Sequence, residues 1–213
     1  MFTTLRLTIG DKHLSSWSLR PWLVMKTFGL PFEEDSIRLD RPDTADEIAR
    51  RSEAGKVPVL RAGDLTVWDS LAIIEYLAEA FPDQAVWPAD PAARAVARSV
   101  SAEMHSGFGA LRRLWPMKFA DLDIGGEITP DLEADLNRID AIWRNCRRDH
   151  GADGPFLFGA FSAADAMYAP VVSRFMTYRG RIGDKVLDAY CQTIWALPGM
   201  REWSEGARTE RAF

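Results

Sequence analysis

The 213-residue sequence has little cysteine, no excess of basic residues and no long apolar run, and each shortage closes off a class of function. Its two cysteines, Cys146 and Cys191, lie far apart and outside any C-x-x-C pair. That spacing argues against a disulfide framework or a zinc site and leaves both as small buried apolar residues; no metal is expected. Lysine and arginine number 26 against 31 acidic residues, a net charge of -5, with a pI near 5.3. Such a balance supplies no basic field for nucleic acid and no polybasic patch for a membrane surface. No apolar stretch approaches the ~20 residues that a membrane span requires. Met1-Phe2-Thr3-Thr4-Leu5-Arg6 lacks the charged-then-apolar layout of a secretory signal, so the expected location is the cytoplasm. What is present is a hydrophobic content of 47% with 27% charged residues, ordinary for a folded protein. The length accommodates one large domain or two small ones, and two are preferred.

Leu5-Arg6-Leu7-Thr8-Ile9 alternates as a half-buried strand does. After the loop His13 to Ser18, Leu19 to Phe28 reads as a helix capped by Ser18 and closed by Gly29, with Pro21 in its first turn. Residues 32–39 fit a second strand and 41–51 a polar helical stretch, which gives a β-α-β unit. Val57 to Arg61 and Leu65 to Trp68 suit an antiparallel hairpin around Ala62-Gly63-Asp64. A helix follows with Leu71, Ile74, Leu77 and Ala78 on one face.

Pro82, Pro88 and Pro91 then break the chain as a linker. The expected domains are 1–81 and 92–213, joined by 82–91. Beyond the linker the pattern is helical. One helix starts at the Asp90-Pro91 cap and runs toward Trp115-Pro116, with a bend at Gly107 and Gly109. Another starts at Thr129-Pro130, with Leu132, Leu136, Ile139, Trp143 and Cys146 on one stripe. Ser162 to Asp165 forms a shortened capping box before an all-round apolar helix, 166–178. Lys185 to Ala196 and a short turn near Arg201-Glu202-Trp203 complete the bundle.

Three motifs stand in order on this layout: Ser15-Ser16-Trp17-Ser18-Leu19-Arg20, Lys56-Val57-Pro58 and Asp69-Ser70. Together with the capping box, they make the chain resemble the cytosolic glutathione transferases over essentially its whole length. The first motif is similar to the zeta pattern Ser-Ser-Cys-Ser-x-Arg, with Trp17 in place of cysteine. The resemblance implies an α/β plus all-α fold: a thioredoxin-like βαβ-ββα domain followed by an all-helical domain. It implies an enzyme that uses glutathione as co-substrate, takes a small electrophile as second substrate and forms a homodimer.

By the same resemblance, Ser15 is the hydroxyl that stabilises the glutathione thiolate, with Ser16 as competitor. Lowering a thiol pKa from about 8.5 to about 6.5 takes about 2.7 kcal/mol. One hydrogen bond to a charged acceptor, roughly 1.5–3 kcal/mol, and a helix N-terminus supply that. Pro58 matches the position that is cis in this fold and turns the Val57 N–H and C=O toward the cysteinyl backbone. Ser70 suits the γ-glutamyl carboxylate, Asp69 its ammonium group and Lys56 the glycyl carboxylate; Arg20 braces the loop. Trp17, His105, Phe108, Arg112 and Trp115 are expected around the electrophile, with Ser101, His105, Phe108 and Arg112 on one helical stripe.

The residues also admit plainer roles, with Ser15, Ser16, Ser18, Asp69 and Ser70 as helix caps and His105 on a surface. Competing functions are a non-catalytic binding module on the same fold and glutathione-dependent isomerisation or peroxidase chemistry. A thiol-disulfide enzyme would need a cysteine where Ser15 or Ser16 stands.

Overall fold

The computed structural model describes residues 4–179 and 185–211; the outermost ends of the two expected domains lie outside them. The chain begins β1 (Leu5–Gly10), α1 (Ser16–Thr27), β2 (Phe32–Ile37), α2 (Thr44–Ala49), β3 (Val59–Ala62), β4 (Leu65–Val67) and α3 (Ser70–Ala80). The sheet order is β2-β1-β3-β4. β1 pairs parallel with β2, with Leu5 opposite Phe32, and antiparallel with β3, with Leu5 opposite Ala62. This is the expected β-α-β followed by β-β-α. Helices follow: α4 (Pro91–Ser106), α5 (Gly109–Leu114), α6 (Pro130–His150), α7 (Ala163–Tyr178), α8 (Lys185–Trp195) and α9 (Pro198–Arg211). A thioredoxin-like half therefore precedes a helical half.

Helix α1 lies between the sheet and the helical half, and its residues from Leu19 to Met25 are all buried. Its N-cap is Ser15, three residues earlier than the expected Ser18. The Ser15 side chain accepts the Ser18 N–H, so the helix gains a turn and Pro21 falls inside it. The C-terminus closes as the sequence indicates. Gly29 has φ +64, Leu30 N–H donates to Met25 C=O at 2.9 Å and Gly29 N–H to Lys26 C=O at 3.3 Å, the two bonds of a Schellman motif.

Helix α7 is buried nearly all round and packs against α1, α4 and α8, as its apolar sequence requires. Its start is held by Asp165, whose carboxylate accepts the Ser162 N–H at 2.8 Å, the Ser162 hydroxyl at 3.1 Å and the Leu157 N–H at 3.0 Å. On α6, Leu132, Ile139, Trp143 and Cys146 are buried and Leu136 is half-buried, the predicted stripe. Trp143 meets Tyr168, Phe175 and Tyr190 edge-on. Cys146 and Cys191 are free and buried, and burial pushes the Cys146 thiol up to about 12.

Two expectations are corrected. The single helix from Asp90 toward Trp115 is two helices, because the chain leaves α4 at Gly107 and Phe108 adopts a left-handed conformation, φ 60, before α5. The short turn near Arg201 is α9, a 14-residue helix. Its close approach depends on glycine: a Cβ on Gly199 would meet Leu23 Cδ1 at 2.8 Å, and one on Gly206 would meet Lys12 Cδ at 2.5 Å.

Candidate active site

A cleft of about 530 Å³ opens where the C-terminal end of β1, the segment before β3 and the N-terminus of α3 converge beside α4. Its walls include Ser15, Trp17, Lys56, Val57, Pro58, Asp69, Ser70 and His105. Residues from three separate stretches of the first half, and one from the second, thus meet in one ligand-sized concavity.

Ser15 sits at the start of α1 because the loop after β1 turns on Asp11, whose C=O accepts the Leu14 N–H at 3.1 Å and the Ser15 N–H at 2.7 Å. Ser15 Oγ lies 2.7 Å from Ser18 Oγ, which accepts the Gly10 N–H at 3.0 Å. Two hydroxyls at that distance can carry the shared proton in either direction. When Ser18 donates, the Ser15 O–H is released toward the cleft and is polarised by the bond it accepts. Ser16 is buried and does not line the cleft.

The Val57–Pro58 peptide is cis. Among the described residues, the Val57 N–H and C=O take no backbone partner, and both belong to a cleft-lining residue. Asp69 caps α3 by accepting the Leu71 N–H at 2.9 Å. The Ser70 hydroxyl is buried and unpartnered among the described residues. A buried hydroxyl beside free N–H groups of a helix start is suited to an anionic oxygen. Lys56 lies at the exposed rim.

His105 crosses from the helical half, its Nε2 at 3.2 Å from Asp69 Oδ2 and its ring edge-on to Trp17 at 5.0 Å. Burial lowers its pKa, Asp69 opposes the shift, and the positive charges of Arg20 and Arg112 add to it. The shift favours the neutral imidazole, whose Nε2 stands beside the Asp69 carboxylate.

The other expected second-substrate residues do not line the cleft. Phe108 is buried, and Trp115 stacks on Tyr178 at 5.3 Å in the helical core. The Arg112 guanidinium turns back to the end of α4, donating to the Gly107 C=O at 3.1 Å and to the Met104 C=O, and stands 4.8 Å from the Trp17 ring. The break at Gly107 rotates α5 out of the stripe that a continuous helix would have made. Arg20 does not brace the loop by hydrogen bonds. It is fully buried 4.3 Å over the Trp17 ring, with its three guanidinium nitrogens unpartnered among the described residues. Sequence reasoning did not single out Leu14, Leu39, Ile48, Ala54 and Trp68 as walls. Trp68, next to the Asp69-Ser70 motif, carried the one local signal.

Comparison with known proteins places the chain in a family. The family model "Glutathione S-transferase, N-terminal domain" matches residues 14–80, and "Glutathione S-transferase, C-terminal domain" matches residues 94–206. The chain belongs to the glutathione S-transferase family.

Among curated glutathione S-transferase relatives, a probable maleylacetoacetate isomerase of Caenorhabditis elegans is 34% identical over 99 residues, covering 46% of this chain and 45% of its own length. Glutathione S-transferase 1 of Dianthus caryophyllus is 30% identical over 125 residues, covering 58% and 57%. The chain thus spans about half the length of the curated relatives it matches. A glutathione transferase homolog from Burkholderia, solved with bound glutathione, is 24% identical, aligns over 97% of this chain and 99% of its own with a TM-score of 0.73, and shares the fold.

Proposed function

We propose that this chain is a glutathione transferase that holds the tripeptide in the cleft and presents its sulfur as a thiolate to a small electrophile. The observation that carries the reading is the convergence of Ser15, Val57 and Ser70 on the walls of one cleft, with the Ser70 hydroxyl and the Val57 main-chain groups unpartnered among the described residues. The Ser15 O–H donates to the sulfur; its competitor Ser16 lies off the cleft wall. The Val57 N–H and C=O pair with the cysteinyl residue as an added strand would. Ser70 and the first N–H groups of α3 take the γ-glutamyl carboxylate, Asp69 takes the ammonium group, and Lys56 attracts the glycyl carboxylate.

The thiol proton leaves to solvent. The sulfur lone pair then forms a bond to the electrophilic carbon, and either a leaving group departs or the adduct is protonated. Trp17 and His105 form the wall that faces the electrophile. Phe108, Arg112 and Trp115 act on this region only from behind Trp17 or through the core.

The reading is tested with Ser15→Ala. Binding to a glutathione matrix persists, and conjugation of an activated aryl halide at pH 7 falls by about tenfold, up to about 25-fold if the bound-thiol pKa rises the whole way from about 6.5 to about 8.5. An unchanged rate and an unchanged bound-thiol pKa would remove Ser15 from the role. Failure of the parent protein to bind the matrix would favour a non-catalytic binding module.

Glutathione-dependent isomerisation is the second reading, favoured by a relative named probable maleylacetoacetate isomerase. It uses the same thiolate, adding it to a double bond and expelling it again after rotation. Homodimerisation is supported by the exposed Leu65 on the edge strand β4. A solution mass near 23.9 kDa would contradict it. The site of action is the cytoplasm.

A further inference from the structure

The loop that sets Ser15 is gripped from the far end of the chain. Glu210, in the last turn of α9, accepts two consecutive loop amides on one oxygen: Oε2 takes the Lys12 N–H at 2.6 Å and the His13 N–H at 3.3 Å. Trp203, two turns earlier on α9 and fully buried, donates its indole N–H to the Lys12 C=O at 2.6 Å. The Glu210 C=O accepts from Arg38 at 2.6 Å, and Arg38 also pairs with Asp11 at 3.2 Å. Asp11 in turn holds the Ser15 N–H through its C=O.

A second brace comes from the segment after α5, where the Phe119 N–H donates to the His13 C=O and the Ala120 N–H to His13 Nδ1. Gly206 is the point of closest approach, where a side chain would strike Lys12. Lys12 and His13, just before the Leu14-Ser15 turn, are therefore held by groups from α9, which lies nearly 200 residues away.

Two adjacent part-buried amides aimed at a single carboxylate lose their protein acceptor when it is removed, and the loop loosens as water or another group takes its place. A hydroxyl that stabilises a thiolate tolerates little displacement, since hydrogen bonds weaken steeply with angle and working geometry is held to about 0.5 Å. We propose that Glu210 is a positioning residue for Ser15, fixing the thiolate-stabilising hydroxyl by tying the Lys12-His13 backbone to α9. This rests on the glutathione reading above.

The test compares the parent protein with Glu210→Ala, Glu210→Asp and Glu210→Gln. Each is loaded with glutathione and titrated by the ultraviolet absorbance of the bound thiolate, with amide hydrogen exchange at Lys12 and His13 and circular dichroism followed in parallel. Glu210→Ala is expected to speed exchange at both amides at least about tenfold and to raise the bound-thiol pKa by about one unit, about a threefold loss of thiolate at pH 7 for a thiol that starts near 6.5. Glu210→Gln keeps an acceptor oxygen and restores most of both. Glu210→Asp, one methylene shorter, gives the intermediate effect and decides the matter if the alanine variant does not fold. Faster exchange or a lower melting temperature with an unmoved thiol pKa overturns the positioning role and leaves only an anchor for α9. A parent protein with no bound thiolate overturns the glutathione reading, and this role with it.

Discussion

At the residue scale the least expected group is Arg20. Arginine is rarely buried without a partner, yet this one is enclosed under Trp17, and burial, with Arg112 and Arg174 nearby, pushes its pKa well below the usual range. The indole face repays part of that cost through a cation–π contact, about 2 kcal/mol when desolvated. Replacing a poorly compensated buried charge by an apolar side chain of similar length is commonly neutral or stabilising by about 1–4 kcal/mol. Arg20→Met is therefore expected to leave the urea midpoint unchanged or raised. A loss of about 3 kcal/mol or more would mean that the guanidinium is fully paired in solution. His105 presents a related lesson: it lies in the cleft wall, and its contact with Asp69 depends on the docking of α4 against α3.

At the scale of elements, the break between α4 and α5 decides which side chains reach the cleft. Gly107 ends α4 with its N–H on the Glu103 C=O at 2.8 Å, and a Cβ there would stand 2.8 Å from that same oxygen. Because the obstacle is backbone, it cannot swing aside. Gly107→Ala is expected to destabilise the protein by about 1–3 kcal/mol, read from chemical denaturation, with the α4–α5 corner as the strained region. The glycine was legible as a bend but not as a break, since the left-handed turn at Phe108 is held by burial of its ring among distant residues. Ser15 and Ser18 are another case. Both are good capping residues, and the choice fell to Ser15 because Ser18 Oγ is occupied by the Gly10 amide at the end of β1.

At the scale of the whole molecule, the two halves are joined through α1 and α7, and the start of α7 holds a fully buried acid. Burial raises the Asp165 carboxyl to about 6, against the three hydrogen bonds that favour its ionised form. A carboxyl whose folded pKa lies above its unfolded value of about 3.9 contributes stability that is complete below that value and is lost as pH rises through the folded one. The stability of the parent protein relative to Asp165→Asn should therefore fall by roughly 2 kcal/mol between pH 4 and pH 7. Urea titrations at a series of pH values measure it, and a flat difference would show that the acid is ionised throughout.

Among the described residues, no helix is long and apolar enough to cross a membrane. The sequence by itself determined the β-α-β then β-β-α order of the first half, the helical character of the second, the closure of α1 at Gly29, the stripe of α6 and the all-round burial of α7. These follow from periodicity, capping and glycine chemistry, which act over a few neighbouring residues. It also marked Ser15, Val57-Pro58 and Asp69-Ser70, because the motifs are local. Only the tertiary structure decided that Phe108, Arg112 and Trp115 do not line the cleft, that Arg20 is sealed under Trp17, and that Glu210 reaches back to Lys12 and His13. Those outcomes depend on how packed elements exclude water and on contacts between residues far apart in the chain, and no local pattern encodes either.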